Sequence, residues 1–324
     1  MERRGGPTAV NGKTAFMFPG QGAQYVGMGA QMAELYPQVR EALRQADAYL
    51  GEPLSHLCFH GPEDQLRLTV NTQPAILAVS VALLRLVSEV CAADYVVGHS
   101  LGEYAALVAA EALDFGDALK TVRLRGQLME SAVPANTGGM AAIIGLDAEI
   151  VAKLCSQAAQ YGVVEIATLN GSKQIVIAGS IDAVNAAAAL AKEAGARAVR
   201  LLNVSGPFHS SLLRGAGEKL GAALSRISMH RARIPVVCNT LATPQTDPDV
   251  LRRALIDQVS STVRWEECIE NMWQAGVHTF IEIGPGKVLA GLVSRMYKDA
   301  LVFSIDTPPT WDKFIAWLRG NGVI

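Results

Sequence analysis

Asp94-Tyr95-Val96-Val97-Gly98-His99-Ser100-Leu101-Gly102-Glu103-Tyr104-Ala105-Ala106-Leu107 decides the fold. It reads as a short apolar strand that turns at two glycines into an alanine-rich helix. Gly98-x-Ser100-x-Gly102 sits at the junction, with the spacing of a nucleophile elbow. Small residues on either side let the turn be sharp and push the serine hydroxyl off the sheet edge. The helix that follows aims its positive end at the same point, which favours a developing oxyanion. The stretch therefore predicts an α/β fold with a parallel sheet, Ser100 as nucleophile and the Leu101 N–H as an oxyanion donor.

Upstream, Thr14–Phe18 reads as a buried strand ending in Pro19-Gly20-Gln21-Gly22, whose glycines permit close backbone approach and make the Gln21 N–H a second donor. A helical pattern fills 28–50, residues 51–62 read as loop with a turn at His60–Asp64, and 73–91 form a strongly apolar helix. Arg85 and Glu89 interrupt that run, so it is expected inside the protein and not across a membrane. A further helix spans 116–132. Strand, tight turn and helix, repeated, give a parallel sheet. The texture changes after Pro134. Strands at 140–145, 163–170, 174–179 and 196–202, with helices after the first and third, give the β-α-β-β-α-β order of a ferredoxin-like unit. This places a small α+β subdomain at 137–202, inserted into a large domain made of 13–136 and 203–324. The large domain resumes with a helix at 211–226, a strand at 235–239, helices at 248–259 and 264–275, a strand at 279–284 and a terminal helix at 309–318.

The bulk numbers exclude several classes. Of 324 residues, 50% are apolar and 18% charged, enough for a large packed core. A net charge of −2 with no basic run argues against nucleic acid as a partner. The five cysteines are scattered and form no CxxC, which fits reduced thiols and a cytoplasmic location. The six histidines show no metal-ligand spacing, so no metal is expected. The first residues, MERRGGPTAVNGKTAF, carry arginines with no apolar run behind them. Residues 1–12 read as a disordered leader and not a signal peptide.

A serine nucleophile needs a base. His209 lies where the chain re-enters the large domain, and residue type alone leaves it open between a base and a loop histidine. His99 adjoins the serine and is expected to point away from it. Arg125 is either a solvated helix charge or a bidentate clamp for a carboxylate. Two glycine motifs fail as nucleotide sites. Tyr25 stands where a dinucleotide fingerprint needs glycine, and Gly284-Pro285-Gly286-Lys287 is followed by Val288, not Ser or Thr. The second motif reads as a turn at the site edge.

Seven segments occur together in one order: FPGQGAQYVGMG (18–29), GHSLGEYAALVAA (98–110), RGQLMESAVP (125–134), GGMAAIIG (138–145), QIVIAG (174–179), VSGPFHSSLL (204–213) and EIGPGKVLAGL (282–292). With them the chain resembles the malonyl-CoA:acyl carrier protein transacylases and the acyltransferase domains of polyketide synthases. The resemblance implies a hydrolase-like large domain with a ferredoxin-like insert. It implies Ser100 as nucleophile, His209 as base, Gln21 and Leu101 as oxyanion donors, and Arg125 as partner of the malonyl carboxylate. Gln258 matches the position whose backbone carbonyl orients the histidine, making a Ser–His dyad. Asn170 matches an asparagine near the cleft.

Leu101 and Phe208 fit the malonyl-selective pattern, whereas glutamine after the serine and serine before the histidine would suggest methylmalonyl. Leu212 and Leu213 depart from a usual methionine. The implied reaction carries malonyl from malonyl-CoA to an acyl carrier protein, in fatty-acid or polyketide biosynthesis, with no cofactor and as a monomer. An acyl hydrolase or thioesterase would share the dyad, but would be expected to hold an apolar or amide residue in place of Arg125.

Overall fold

In the computed structural model, which describes residues 12–134, 136–204 and 206–324, strands β1 (Lys13–Phe18) and β2 (Tyr95–Gly98) pair in parallel with Phe18 opposite Gly98. Residues 1–11 lie outside the described residues, and with them nearly all of the predicted leader. The pairing sets the two glycine turns side by side at the C-terminal ends of two central strands. Ala15, Phe16, Met17, Phe18, Val96 and Val97 are all buried, as strands covered on both faces require.

Four strands form a second sheet: β3 (Gly138–Ile144), β4 (Val164–Leu169), β5 (Gln174–Ser180) and β6 (Ala198–Leu201). Its order is β4-β5-β3-β6 and every pair is antiparallel. Helices Ala148–Ala158 and Ile181–Glu193 pack on it, burying Val151, Leu154, Val184 and Ala187 against Ile143 and Ile177. This is the ferredoxin-like arrangement read from the sequence.

The first sheet is completed by β7 (Val236–Val237), β8 (Pro244–Gln245), β9 (Val277–Ile283) and β10 (Leu301–Ile305), in the order β10-β9-β1-β2-β7-β8. Its pairs are parallel except β7 with β8. The small sheet is tied to the large domain at a loop residue, where Val263 N–H donates to Ala167 O at 2.9 Å and Leu169 N–H donates to Val263 O at 2.9 Å.

Several local expectations are corrected. The pattern over 28–50 is two helices, Ala30–Leu35 and Pro37–Leu50. Tyr36 between them is extended, as the residue before a proline prefers, and Pro37 opens the second helix. The stretch read as loop at 51–62 contains helix Leu54–His60, which buries Leu54 and Cys58. Helix Val288–Met296 and β10 were not anticipated at all. The apolar run forms helix Thr69–Val87. It is long and apolar enough to cross a membrane, yet 83% of its most apolar window is buried inside the protein. It is a core helix.

Candidate active site

The elbow is built by exclusion of side chains. A Cβ on Gly98 would lie 1.8 Å from Gly102 C, and one on Gly102 would lie 2.0 Å from Phe18 O. A Cβ on Gly20 would lie 2.5 Å from His99 O, so the two turns touch backbone to backbone. Ser100 itself is held at φ 51°, a strained conformation for a non-glycine residue. Asn239 compensates that strain. Its Oδ1 accepts from the Ser100 N–H at 2.7 Å and its Nδ2 donates to Gly98 O at 2.7 Å, bracing both sides of the turn.

Ser100 Oγ lies 2.8 Å from His209 Nε2, and His209 Nδ1 lies 2.8 Å from Gln258 O. A carbonyl oxygen only accepts, so Nδ1 carries the proton and Nε2 presents its lone pair to the hydroxyl. Burial, and after it the positive charge of Arg125, pull the His209 pKa down to about 3. The ring is thus neutral at any ordinary working pH. The unfolded chain protonates this imidazole near 6.5 and the native chain does not. His209 therefore contributes stability that is lost as pH falls from about 6.5 toward 3. For the free enzyme we predict kcat/KM that stays flat from pH 8 to about 5. An acid limb centred at 6.5 in the pH–rate profile would contradict a buried neutral base.

Arg125 is 1% exposed. Its Nη1 donates to Gln73 Oε1 at 2.9 Å, and its Nη2 donates to Gln258 Oε1 at 2.9 Å and to Ser100 Oγ at 3.1 Å. Its guanidinium also lies over the Tyr104 ring, 5.9 Å from the centroid. The solvated-helix reading is therefore excluded. These hydrogen-bond partners are all neutral oxygens. The buried carboxylate nearest in the network is Glu103, reached through the Gln258 amide. Glu103 Oε2 accepts from Gln258 Nε2 at 2.8 Å and from the Asn239 N–H at 3.0 Å. Burial pushes the Glu103 carboxyl up to about 7, opposed by those two N–H groups.

A cleft of about 240 Å³ opens over these groups. Met129, Met140, Val176, Leu202, Phe208 and Leu289 supply apolar wall, and Gln21, Ser100, Leu101, Arg125 and His209 supply the polar end. The backbone N–H groups of Gln21 and Leu101 have no intramolecular partner among the described residues. His99 also reaches the cleft, but its Nε2 lies 2.9 Å from Asn170 Oδ1 and its ring lies 5.5 Å from that of Trp265. It makes no hydrogen bond with the serine. The Gly284–Lys287 turn borders the cleft through Val288 and Leu289. Asp306 pins it by accepting from the Gly286 N–H at 2.9 Å and from Tyr25 Oη at 3.0 Å.

The structure thus gathers Ser100, His209, Gln21, Leu101, Arg125, Phe208 and Asn170 around one cavity, with Gln258 buried behind Arg125 and His209. Sequence reasoning missed Gln73, Asn239 and Glu103, and saw in Gln258 only its carbonyl. A signal existed for two of them. Gln73 and Glu103 are polar side chains inside runs of apolar helix, and both are buried at 1% exposure. Asn239 carried no such mark, because it follows a strand where asparagine is common in turns.

Residues 15–311 match the family model described as acyl transferase domain. Over 309 residues the chain is 45% identical to the malonyl CoA-acyl carrier protein transacylase of Bacillus subtilis (strain 168), covering 95% of this chain and 98% of that one. Among solved structures, an acyl carrier protein S-malonyltransferase from Vibrio cholerae superposes with a TM-score of 0.91 at 45% identity, covering 93% of this chain and 99% of the other. A malonyl-transacylase in complex with its type II PKS acyl-carrier protein superposes with a TM-score of 0.90 at 40% identity, covering 92% and 97%.

Proposed function

The chain belongs to the acyl transferase domain family, and from that membership we propose that it moves malonyl from malonyl-CoA to the phosphopantetheine thiol of an acyl carrier protein through an ester on Ser100. One observation carries the assignment of roles. A single oxygen, Ser100 Oγ, touches a lone-pair nitrogen at 2.8 Å and a guanidinium at 3.1 Å. In a malonyl thioester one methylene separates the reacting carbonyl from the free carboxylate. A cation for that carboxylate must therefore stand beside the nucleophile, where Arg125 stands.

His209 Nε2 takes the hydroxyl proton as Oγ bonds to the thioester carbon. The tetrahedral oxyanion rests on the N–H groups of Gln21 and Leu101. Arg125 gives up its bond to Oγ and pairs with the free carboxylate, still held from behind by Gln73 and Gln258. The C–S bond breaks and the coenzyme A sulfur leaves with the proton from Nε2. The carrier's thiol then attacks the ester by the same steps in reverse order, giving two-step ping-pong exchange. The Gln258 carbonyl supplies what a triad carboxylate supplies elsewhere, a fixed tautomer. This route uses no metal or redox cofactor.

Phe208 lines the cleft and crowds a substituent at C2, favouring malonyl over methylmalonyl by ~1–3 kcal/mol, the worth of one methyl group. We take the protein to work as a monomer. Cys58, Cys155, Cys238 and Cys268 are buried free thiols, which suits the cytoplasm. The chemistry serves fatty-acid or polyketide assembly alike. Mixing the enzyme with malonyl-, methylmalonyl- and acetyl-CoA and weighing the intact protein tests the reading. We expect a malonyl adduct that persists in buffer and is discharged by a pantetheinylated carrier protein. An adduct discharged by water as fast as by carrier would make the protein a hydrolase.

A further inference from the structure

We propose that Glu103 and the side-chain amide of Gln258 form a relay that positions Arg125 for the carboxylate of the acyl group. The inference rests on the malonyl reading above and assigns a task to a buried carboxylate that the transfer steps leave unused.

The geometry is directional. The Gln258 amide presents Oε1 to Arg125 Nη2 at 2.9 Å and Nε2 to Glu103 Oε2 at 2.8 Å. Nε2 also lies 3.1 Å from Ser100 O and 3.2 Å from Asn239 Oδ1. Rotating the amide by half a turn would set Nε2 against the guanidinium, donor on donor. It would also set Oε1 against three acceptor oxygens. Glu103 makes the shortest of those contacts. Its Oε2 receives two N–H groups, so a proton taken up by this carboxyl sits on Oε1 and leaves the relay intact.

The amide orientation matters because Arg125 is buried and Nη2 contacts both Gln258 and the nucleophile. When Nη2 turns from Ser100 Oγ to the substrate, Gln258 Oε1 and Gln73 Oε1 are what keep the guanidinium plane aimed into the cleft. Glu103 touches neither substrate nor reacting atoms. It is a positioning residue, and its effect belongs to acyl groups that carry a carboxylate.

The test compares malonyl with acetyl transfer to a carrier protein in Glu103→Met, Glu103→Gln and Gln258→Met, with melting temperatures alongside. Glu103→Met keeps the side-chain length and removes the acceptor. We expect it to lower the malonyl-to-acetyl ratio of kcat/KM at least tenfold, the order expected when a charge-assisted hydrogen bond is lost. The loss should fall mainly in KM for malonyl-CoA, with acetyl transfer within about threefold of wild type. Glu103→Gln can set its amide oxygen where Oε2 stood and should return the ratio to within about threefold of wild type. Gln258→Met keeps the backbone carbonyl that holds His209 and removes the acceptor for Arg125 Nη2, so it should itself lower the malonyl-to-acetyl ratio at least tenfold and keeps the relay testable if Glu103→Met fails to fold. Parallel losses with both acyl groups, or an unchanged ratio in Gln258→Met, would overturn the relay. A wild-type enzyme that transfers malonyl and acetyl equally would overturn the malonyl reading with it, which separates the two failures.

Discussion

Ser100→Ala leaves no acyl adduct on the protein after mixing with malonyl-CoA, and transfer to the carrier falls by at least about 10⁴-fold, since covalent catalysis loses its only nucleophile. The hydroxyl is the one atom that both the base and the guanidinium touch, at 2.8 and 3.1 Å. The neighbouring His99 does not replace it, being committed to Asn170 and lying against Trp265. The variant should fold. The serine Oγ bonds only the side chains of His209 and Arg125, each of which keeps another partner, and the backbone N–H, which alanine keeps, is the group bonded to Asn239. Intact-protein mass spectrometry checks the adduct and a melting curve checks the fold. A full-mass adduct on a folded variant would refute the assignment.

Arg125→Ala has the second-largest effect, and its sign depends on the substrate. The guanidinium offers a carboxylate charge-assisted hydrogen bonds worth about 1.5–3 kcal/mol each in a buried site. Losing two of them lowers malonyl transfer by roughly 10²–10⁴-fold. Acetyl has no carboxylate to lose. In the native enzyme it displaces Arg125 from Ser100 Oγ and leaves a buried donor unpaired. The alanine variant removes that penalty, so acetyl transfer should hold or rise while malonyl transfer falls. Competition between malonyl- and acetyl-CoA, read by product mass, measures the ratio. An unchanged ratio would mean that the arginine does not meet the substrate carboxylate. The cavity left behind is large and the charge is packed on Tyr104, so some stability is lost too. The ratio between substrates is immune to that loss.

How much of this was legible in the sequence differs by element. The elbow was legible because the motif's spacing is local, although a Cβ at 98 collides with the turn's own backbone and one at 102 with that of Phe18. The small sheet was legible because four short apolar runs and two helical runs, separated by turns, follow the β-α-β-β-α-β order. Helix Val288–Met296 was hidden by the Gly-Pro-Gly turn before it, which reads as loop. Its start is fixed by a side chain on the preceding strand instead, since Glu282 accepts from the Leu289 and Ala290 N–H groups at 3.1 and 2.7 Å. The site divides the same way. Ser100 announces itself by spacing, and His209 and Arg125 became assignable only through the family pattern. The braces at Asn239 and Gln73 are long-range contacts. Asn239 lies 139 residues from the serine it holds, and Gln73 lies 52 from Arg125. No local pattern records such pairs.

The proximity of Arg125 to His209 has a kinetic consequence. After burial, the guanidinium's charge is the strongest influence keeping the imidazole acidic. An anion laid against that guanidinium cancels much of its field at the ring. The empty pocket therefore holds a blunted base, and arrival of the right cargo sharpens it. An uncharged cargo leaves it blunt, so recognition at one end of a three-carbon unit is felt as reactivity at the other.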